Sequence, residues 1–246
     1  MIGKPQTYSL SISHIDYSES KDVIMMYCDM TGGVVDADQM FVAWQFMLLT
    51  ATIDGVIVKR SYSIATTPKL LFEKWIIGFS IKRVEWGVFS TRATQVATVG
   101  DLLTMTWGLG RMTDDGMYDH YLLISAGSGL SPIYSIYQDL LSQDRRIRIA
   151  NIFGERRYAD VLADVHRDRV NNTTEWVYSQ CFLSQDIHPW YSQGRVQAGI
   201  EWALQWLNTQ KCKVFVCGWP EMVDDVRNIL TQQYGLHASQ IMFEKY

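Results

Sequence analysis

The chain changes rhythm midway. From Gln6 to about Met112 the apolar and polar positions follow a short period. Tyr8, Leu10 and Ile12 alternate with Ser9, Ser11 and Ser13, the two-residue repeat of a half-buried strand. Segments 23–28, 41–52, 56–64, 76–84 and 102–107 read as further strands. Turn-prone pieces separate them: Thr31-Gly32-Gly33, Asp54-Gly55 and Val99-Gly100-Asp101. Short strands with this punctuation predict a small antiparallel barrel or sandwich.

After the polar stretch 111–119 the period lengthens. The apolar run 121–124 leads through Gly127-Ser128-Gly129 into a helical stripe of Ile133, Ile136, Tyr137, Leu140 and Leu141. Strands over 147–153, 176–183, 213–217 and 240–243 alternate with helices over 159–169, 196–207 and 221–233. Met222, Val226, Ile229 and Leu230 share one face of the last helix. Such alternation predicts a parallel sheet covered by helices, with a domain boundary near 112–119.

Composition narrows the function classes. The 246 residues are 48% hydrophobic and 20% charged, which excludes a mainly disordered chain. A net charge of −4 argues against a general nucleic-acid binder. No apolar run approaches a membrane span, and the opening residues lack a signal peptide's apolar core, so a cytoplasmic protein is expected. Cys28, Cys181, Cys212 and Cys217 are scattered without a Cys-x-x-Cys pair. Neither a metal centre nor a disulfide framework is therefore expected, and redox chemistry must come from an organic cofactor or a partner.

The segment Ile124 to Pro132 joins a strand to a helix through two glycines, which let backbone amides approach a pyrophosphate at a helix N-terminus. Pro132 suits a first helical turn. A third glycine of the dinucleotide fingerprint is absent, and by itself this segment reads equally well as a ligand-free turn.

Taken together, six segments resemble the ferredoxin–NADP reductase family of flavoproteins. Arg60-Ser61-Tyr62-Ser63 matches its Arg-x-Tyr-Ser element. The resemblance implies an Arg on the FAD pyrophosphate, a Tyr against the isoalloxazine and a Ser hydroxyl at flavin N5. Lys82 through Thr91, with Gly87, Val88, Phe89 and Ser90, resembles the stretch that meets the FAD phosphates. Gly127, Ser128, Gly129, Leu130 and Pro132 stand where the family holds the nicotinamide nucleotide's pyrophosphate. Phe153-Gly154-Glu155-Arg156 resembles the Gly-x-Arg element near the nucleotide ribose, and Ser184, Gln185 and Arg195 fall in the same region. Cys217-Gly218-Trp219-Pro220-Glu221-Met222 is similar to Cys-Gly-x-Pro-x-Met, whose Cys lies beside the nicotinamide. The chain ends in Glu244-Lys245-Tyr246, similar to the plant-type Glu-x-aromatic terminus that shields the flavin. Each segment alone has a plainer reading: an exposed strand, a buried small thiol or a frayed tail.

The resemblance implies an α+β protein of two domains. Residues 1–115 form an antiparallel Greek-key β-barrel for FAD, and residues 116–246 form a Rossmann-like α/β domain for NAD(P). It implies FAD as cofactor, NADH or NADPH as co-substrate, Ser63, Cys217, Glu244 and Tyr246 at the reacting rings, and a ferredoxin, flavodoxin or oxygenase-type acceptor. A non-catalytic nucleotide-binding scaffold on the same fold is the alternative.

The sequence departs from the family in two respects. Gln185 stands where NADP-specific members carry Arg, which tilts the expectation slightly toward NADH, with Arg156, Arg157 and Arg195 able to offset it. Trp44, Trp86, Trp107 and Trp219 occupy turn positions where the family has Gly, and a bulky side chain at positive φ is strained there. Reading of UGA as glycine by the source organism accounts for all four.

Overall fold

The computed structural model describes residues 7–31, 41–110, 114–163 and 175–246. The first sheet is built from β1 (Thr7–Tyr17), β2 (Val23–Thr31), β3 (Phe46–Ile53), β4 (Val56–Ser63), β5 (Ile76–Lys82) and β6 (Leu102–Leu109). Its order is β4-β3-β6-β1-β2-β5, with every pair antiparallel. In β1 the alternation places Tyr8, Leu10 and Ile12 in the core, until a bulge between Ile12 and His14 shifts the register. Asp54 (φ 51°) and Gly55 (φ 78°) form the two-residue turn between β3 and β4, in the left-handed pair that suits the strands' twist.

The sheet curls until the end of β4 meets β5, where the Ala65 amide donates to the Gly78 carbonyl (2.8 Å). A Cβ on Gly78 would lie 2.6 Å from the Thr66 methyl, so the two segments approach this closely only with glycine there. Met26, Met47, Phe79 and Met105 fill the interior. The expected strand over 41–52 begins only at Phe46, because residues 42–45 form a turn. The expected strand over 76–84 ends at Lys82. Two helices, α1 (Pro68–Lys74) and α2 (Val88–Gln95), were not foreseen. Both are too short to show a helical period.

The second sheet contains β7 (His120–Ala126), β8 (Arg148–Glu155), β9 (Val177–Leu183), β10 (Ser192–Gln193), β11 (Cys212–Gly218) and β12 (Ile241–Lys245). All pairs are parallel, in the order β10-β9-β8-β7-β11-β12. Helix α3 (Leu130–Leu141) carries the predicted stripe, with Ile133, Ile136, Tyr137 and Leu140 buried. The expected helix over 196–207 opens as a 3₁₀ turn (Val196–Gly199) before α4 (Ile200–Trp206). The one over 221–233 is α5 (Pro220–Asn228) followed by a π-helical turn (Ile229–Gln233). Most of the helix expected over 159–169 lies outside the described residues, and ahead of them stand a 3₁₀ turn (Tyr158–Asp160) and a helical Ala163.

The two sheets meet along β5 and α3. Val23, Met25 and Ala65 of the first pack with Leu130, Phe153 and Leu183 of the second. The Ser131 hydroxyl bridges the Ser80 amide and carbonyl (both 3.1 Å), and the Ser135 hydroxyl donates to the Thr66 carbonyl (2.7 Å). Among the described residues no helix is long and apolar enough to cross a membrane.

Candidate active site

Between the sheets lies a cleft of about 490 Å³. Arg60, Ser61, Tyr62 and Ser63 form one wall because β4 is an edge strand whose side chains stay partly exposed. Arg60 donates to the Lys59 carbonyl (2.7 Å) and makes no ion pair among the described residues. Its guanidinium is thus available to an anion. The Tyr62 ring packs at 5.2 Å against Phe89, and burial pushes its phenol up to about 12 against the pull of Arg60. It is a neutral, flat surface at any ordinary pH.

The phosphate end is shaped by the start of α2. Gly87, Phe89 and Ser90 line the cleft, while Val88 faces a neighbouring hollow of about 590 Å³. The Ser90 hydroxyl accepts from the Val84 amide (3.1 Å) and donates to the Gly87 carbonyl (3.2 Å), so it holds the loop closed. A Cβ on Gly87 would meet that hydroxyl at 2.5 Å. The first amides of α2 have no partner within the helix and carry the positive end of its dipole.

Lys82 lines the cleft, but its ammonium is already engaged. It lies 2.5 Å from Glu155 Oε1 and 3.4 Å from Asp160 Oδ2, both carboxylates being buried. Asp160 Oδ1 is buried without a hydrogen-bond partner. Lys82 is therefore first a tie between the two sheets and only secondarily a cation facing the cleft.

On the opposite wall, β7 runs into a 3₁₀ turn (Gly127–Gly129) and then α3. Gly127 has φ 55°. A Cβ on Gly129 would lie 2.2 Å from the Cys217 carbonyl oxygen and 2.8 Å from the Tyr246 hydroxyl. The turn thus abuts both β11 and the C-terminal ring only because residue 129 is glycine. Ser128 lines the cleft, whereas Leu130 and Pro132 are buried in the first turn of α3. Met222 packs its methyl against Gly218, where a Cβ would come within 2.2 Å of it.

Cys217, Glu244 and Tyr246 converge beside that turn. Cys217 is buried, and its thiol is pushed well up by burial and by the neighbouring Glu244 charge. It stays protonated and offers no nucleophilic thiolate. Burial also raises the Glu244 carboxyl, whose Oε2 is enclosed without a hydrogen-bond partner. The Trp44 indole pulls the other way, yet its N–H does not reach hydrogen-bonding geometry with the carboxyl. The Tyr246 hydroxyl donates to the Ala126 carbonyl (2.7 Å), folding the last residue back over the turn.

Arg156, Ser184, Gln185 and Arg195 do not line this cleft. They stand exposed beyond the C-terminal ends of β8, β9 and, for Arg195, β10, and the Ser184 and Gln185 amides donate to the Glu155 and Arg156 carbonyls (3.0 and 2.9 Å). Asp186, missed in the sequence, accepts there from the Tyr158 amide (2.8 Å), and Tyr158 stacks on His188 at 4.0 Å. Phe46, Ser80, Ser131 and Lys245 also border the cleft and were not foreseen. The signal for Ser80 was its two-residue spacing from Lys82 on one strand. Trp219 has ordinary extended backbone (φ −69°, ψ 153°) ahead of Pro220, so the expected strain is absent there. The side chain of Trp107, in β6, is outside the description.

A family model described as an oxidoreductase NAD-binding domain matches residues 123–228. A ferredoxin–NADP reductase of Pseudomonas aeruginosa is 26% identical over 221 residues, covering 83% of each chain. The toluate 1,2-dioxygenase electron transfer component of Pseudomonas putida is 26% identical over 192 residues, and the match spans only 54% of that longer protein. Among solved structures, a ferredoxin NADP⁺ reductase from Neisseria gonorrhoeae with bound FAD and NADP superposes with a TM-score of 0.79 at 17% identity, covering 98% of this chain and 99% of that one. The antiparallel barrel, the parallel sheet and the cleft between them agree with these likenesses. Over most of its length the chain is thus similar to members of the ferredoxin–NADP reductase family.

Proposed function

We propose that the protein is an FAD-dependent reductase that moves hydride between NADH or NADPH and flavin and passes electrons to a ferredoxin, a flavodoxin or an oxygenase component. The observation that carries this reading is the convergence on one cleft of Arg60, Tyr62 and Ser63 from β4 with Glu244 and Tyr246 from the C-terminus. A scaffold would need neither wall. We also take residues 1–115 and 116–246 as the two functional domains.

The residues present fit the cofactor. Arg60, which makes no ion pair among the described residues, can turn its guanidinium to a pyrophosphate and grip it in two parallel hydrogen bonds. The α2 start adds unpaired amides, and Tyr62 adds a neutral aromatic surface for a flat heterocycle. Ser63 places a hydroxyl on the cleft wall within the same strand. When bound, FAD supplies hydride acceptance and one-electron delivery, chemistry that no side chain here has.

The Gly127–Gly129 turn and the α3 N-terminus offer backbone amides to the second nucleotide. Cys217 and Glu244 orient the nicotinamide, and Tyr246 must move aside for it. Enclosing the two rings makes the transfer effectively intramolecular. At the adenosine end Gln185 is neutral and Asp186 acidic, which favours NADH, while Arg156, Arg157 and Arg195 temper that preference. Four buried free thiols support a reducing, cytoplasmic setting.

The acceptor class is tested by supplying the FAD-loaded protein and NADH with a ferredoxin and, separately, a flavodoxin. Reduction of at least one above the rate with free FAD is expected. Ferricyanide reduction with neither carrier reduced would keep the reductase and remove this acceptor class.

A further inference from the structure

Three of the nine tryptophans sit in left-handed backbone: Trp44 (φ 87°), Trp75 (φ 58°) and Trp86 (φ 65°). Among the described residues only two other non-glycine positions do so, Lys21 and Asp54. Asp54 belongs to an Asp-Gly hairpin turn, where this conformation is common. For a bulky residue it is an outlier.

Each of the three places asks for glycine on separate grounds. Residues 42–45 form a β-turn closed by the Gln45 amide on the Val42 carbonyl (3.2 Å). Trp44 is its third residue, and φ near +80° there is the glycine position of a type II turn. Residues 84–87 repeat the arrangement, with the Gly87 amide on the Val84 carbonyl (2.9 Å) and Trp86 third. Trp75 ends α1 in the left-handed conformation (ψ 27°) with its amide on the Leu71 carbonyl (2.8 Å), the usual place of a C-terminal glycine cap.

Two of the three side chains gain little there. Trp86 is 92% exposed and Trp75 is 41% exposed. Trp44 is buried against Phe215, but its N–H has no acceptor, although a buried indole ordinarily finds one. By contrast Trp206, in α4, lies in ordinary backbone and holds Arg148 over its ring at 5.4 Å.

We propose that residues 44, 75 and 86 are glycine in the protein as its source cell makes it. Their codons would be UGA, read as glycine in that cell and as tryptophan in the sequence here. The surroundings of the cleft then differ at two points. A Gly-Gly turn at 86–87 opens the hollow beside α2 that Trp86 now borders. Glycine at 44 frees the space next to Glu244 and Phe215. Trp219, in ordinary backbone, is not assigned by this geometry.

The codons of the source gene decide the matter independently of the proposed function. UGA at 44, 75 and 86, with UGG at 206, is the expected result. UGG at those three positions overturns the proposal. Folding gives a second readout: a Trp44→Gly, Trp75→Gly, Trp86→Gly variant is expected to melt higher than the chain with tryptophan, whereas Trp206→Gly melts lower. A lower melting temperature for each of the three single variants overturns it, because glycine would then be the foreign residue.

Discussion

Burial holds the Glu244 carboxyl above its ordinary value because the charged form loses more hydration than the neutral one. A carboxyl whose folded value exceeds the unfolded one stabilises the fold only below the unfolded value, about 4.5. That contribution fades as pH rises through the folded value. Glu244→Gln is therefore expected to leave the melting temperature nearly unchanged at pH 4 and to raise it at pH 7. An equal change at both pH values contradicts the buried-acid account. Tyr246 makes a different prediction. Its hydroxyl bond to Ala126 must break before a nicotinamide enters, a net contribution of about 0.5–1.5 kcal/mol. Tyr246→Ser is thus expected to tighten binding of the oxidised dinucleotide about two- to tenfold in a fluorescence titration, and unchanged affinity counts against the ring's placement. The resemblance pointed to both residues. It could not show that Cys217 is enclosed and protonated or that Lys82 is already paired, because those properties come from neighbours distant in sequence.

At the scale of elements, the Lys82 ammonium at the end of β5 meets Glu155 at the end of β8 and Asp160 beyond it. Two buried carboxylates share one cation, so removing the cation leaves like charges facing each other. Breaking a buried pair costs up to about 3–5 kcal/mol. Lys82→Met is expected to lower the unfolding free energy by up to about that much, measured in urea, and adding Glu155→Gln with Asp160→Asn is expected to restore most of it. Failure of the neutral pair to rescue shows that the tie is not electrostatic. The period-two runs and the α3 stripe made the two sheets legible in advance. The helices α1 and α2 were hidden because seven or eight residues carry too few turns to show a period. The start of β3 was misplaced because apolar Val42 and Ala43 continue its pattern into a turn.

In the whole molecule, the polar contacts Ser80–Ser131 and Ser135–Thr66, the Lys82 tie and the apolar seam around Leu130 and Phe153 fix one sheet against the other. The cleft between them brings together residues nearly 190 positions apart, Arg60 and Tyr246. No local pattern announces such a meeting, which is why the site was readable only through several segments in family order. The most direct test is to load the purified protein with FAD without oxygen and add NADH or NADPH. A flavin held in this cleft predicts a yellow protein whose flavin band bleaches far faster than free FAD. It also predicts that Arg60→Ala weakens FAD binding about ten- to a hundredfold through a lost charged contact of about 1.5–3 kcal/mol. A protein that stays colourless after FAD is added, or one whose bound flavin neither nucleotide bleaches, contradicts it.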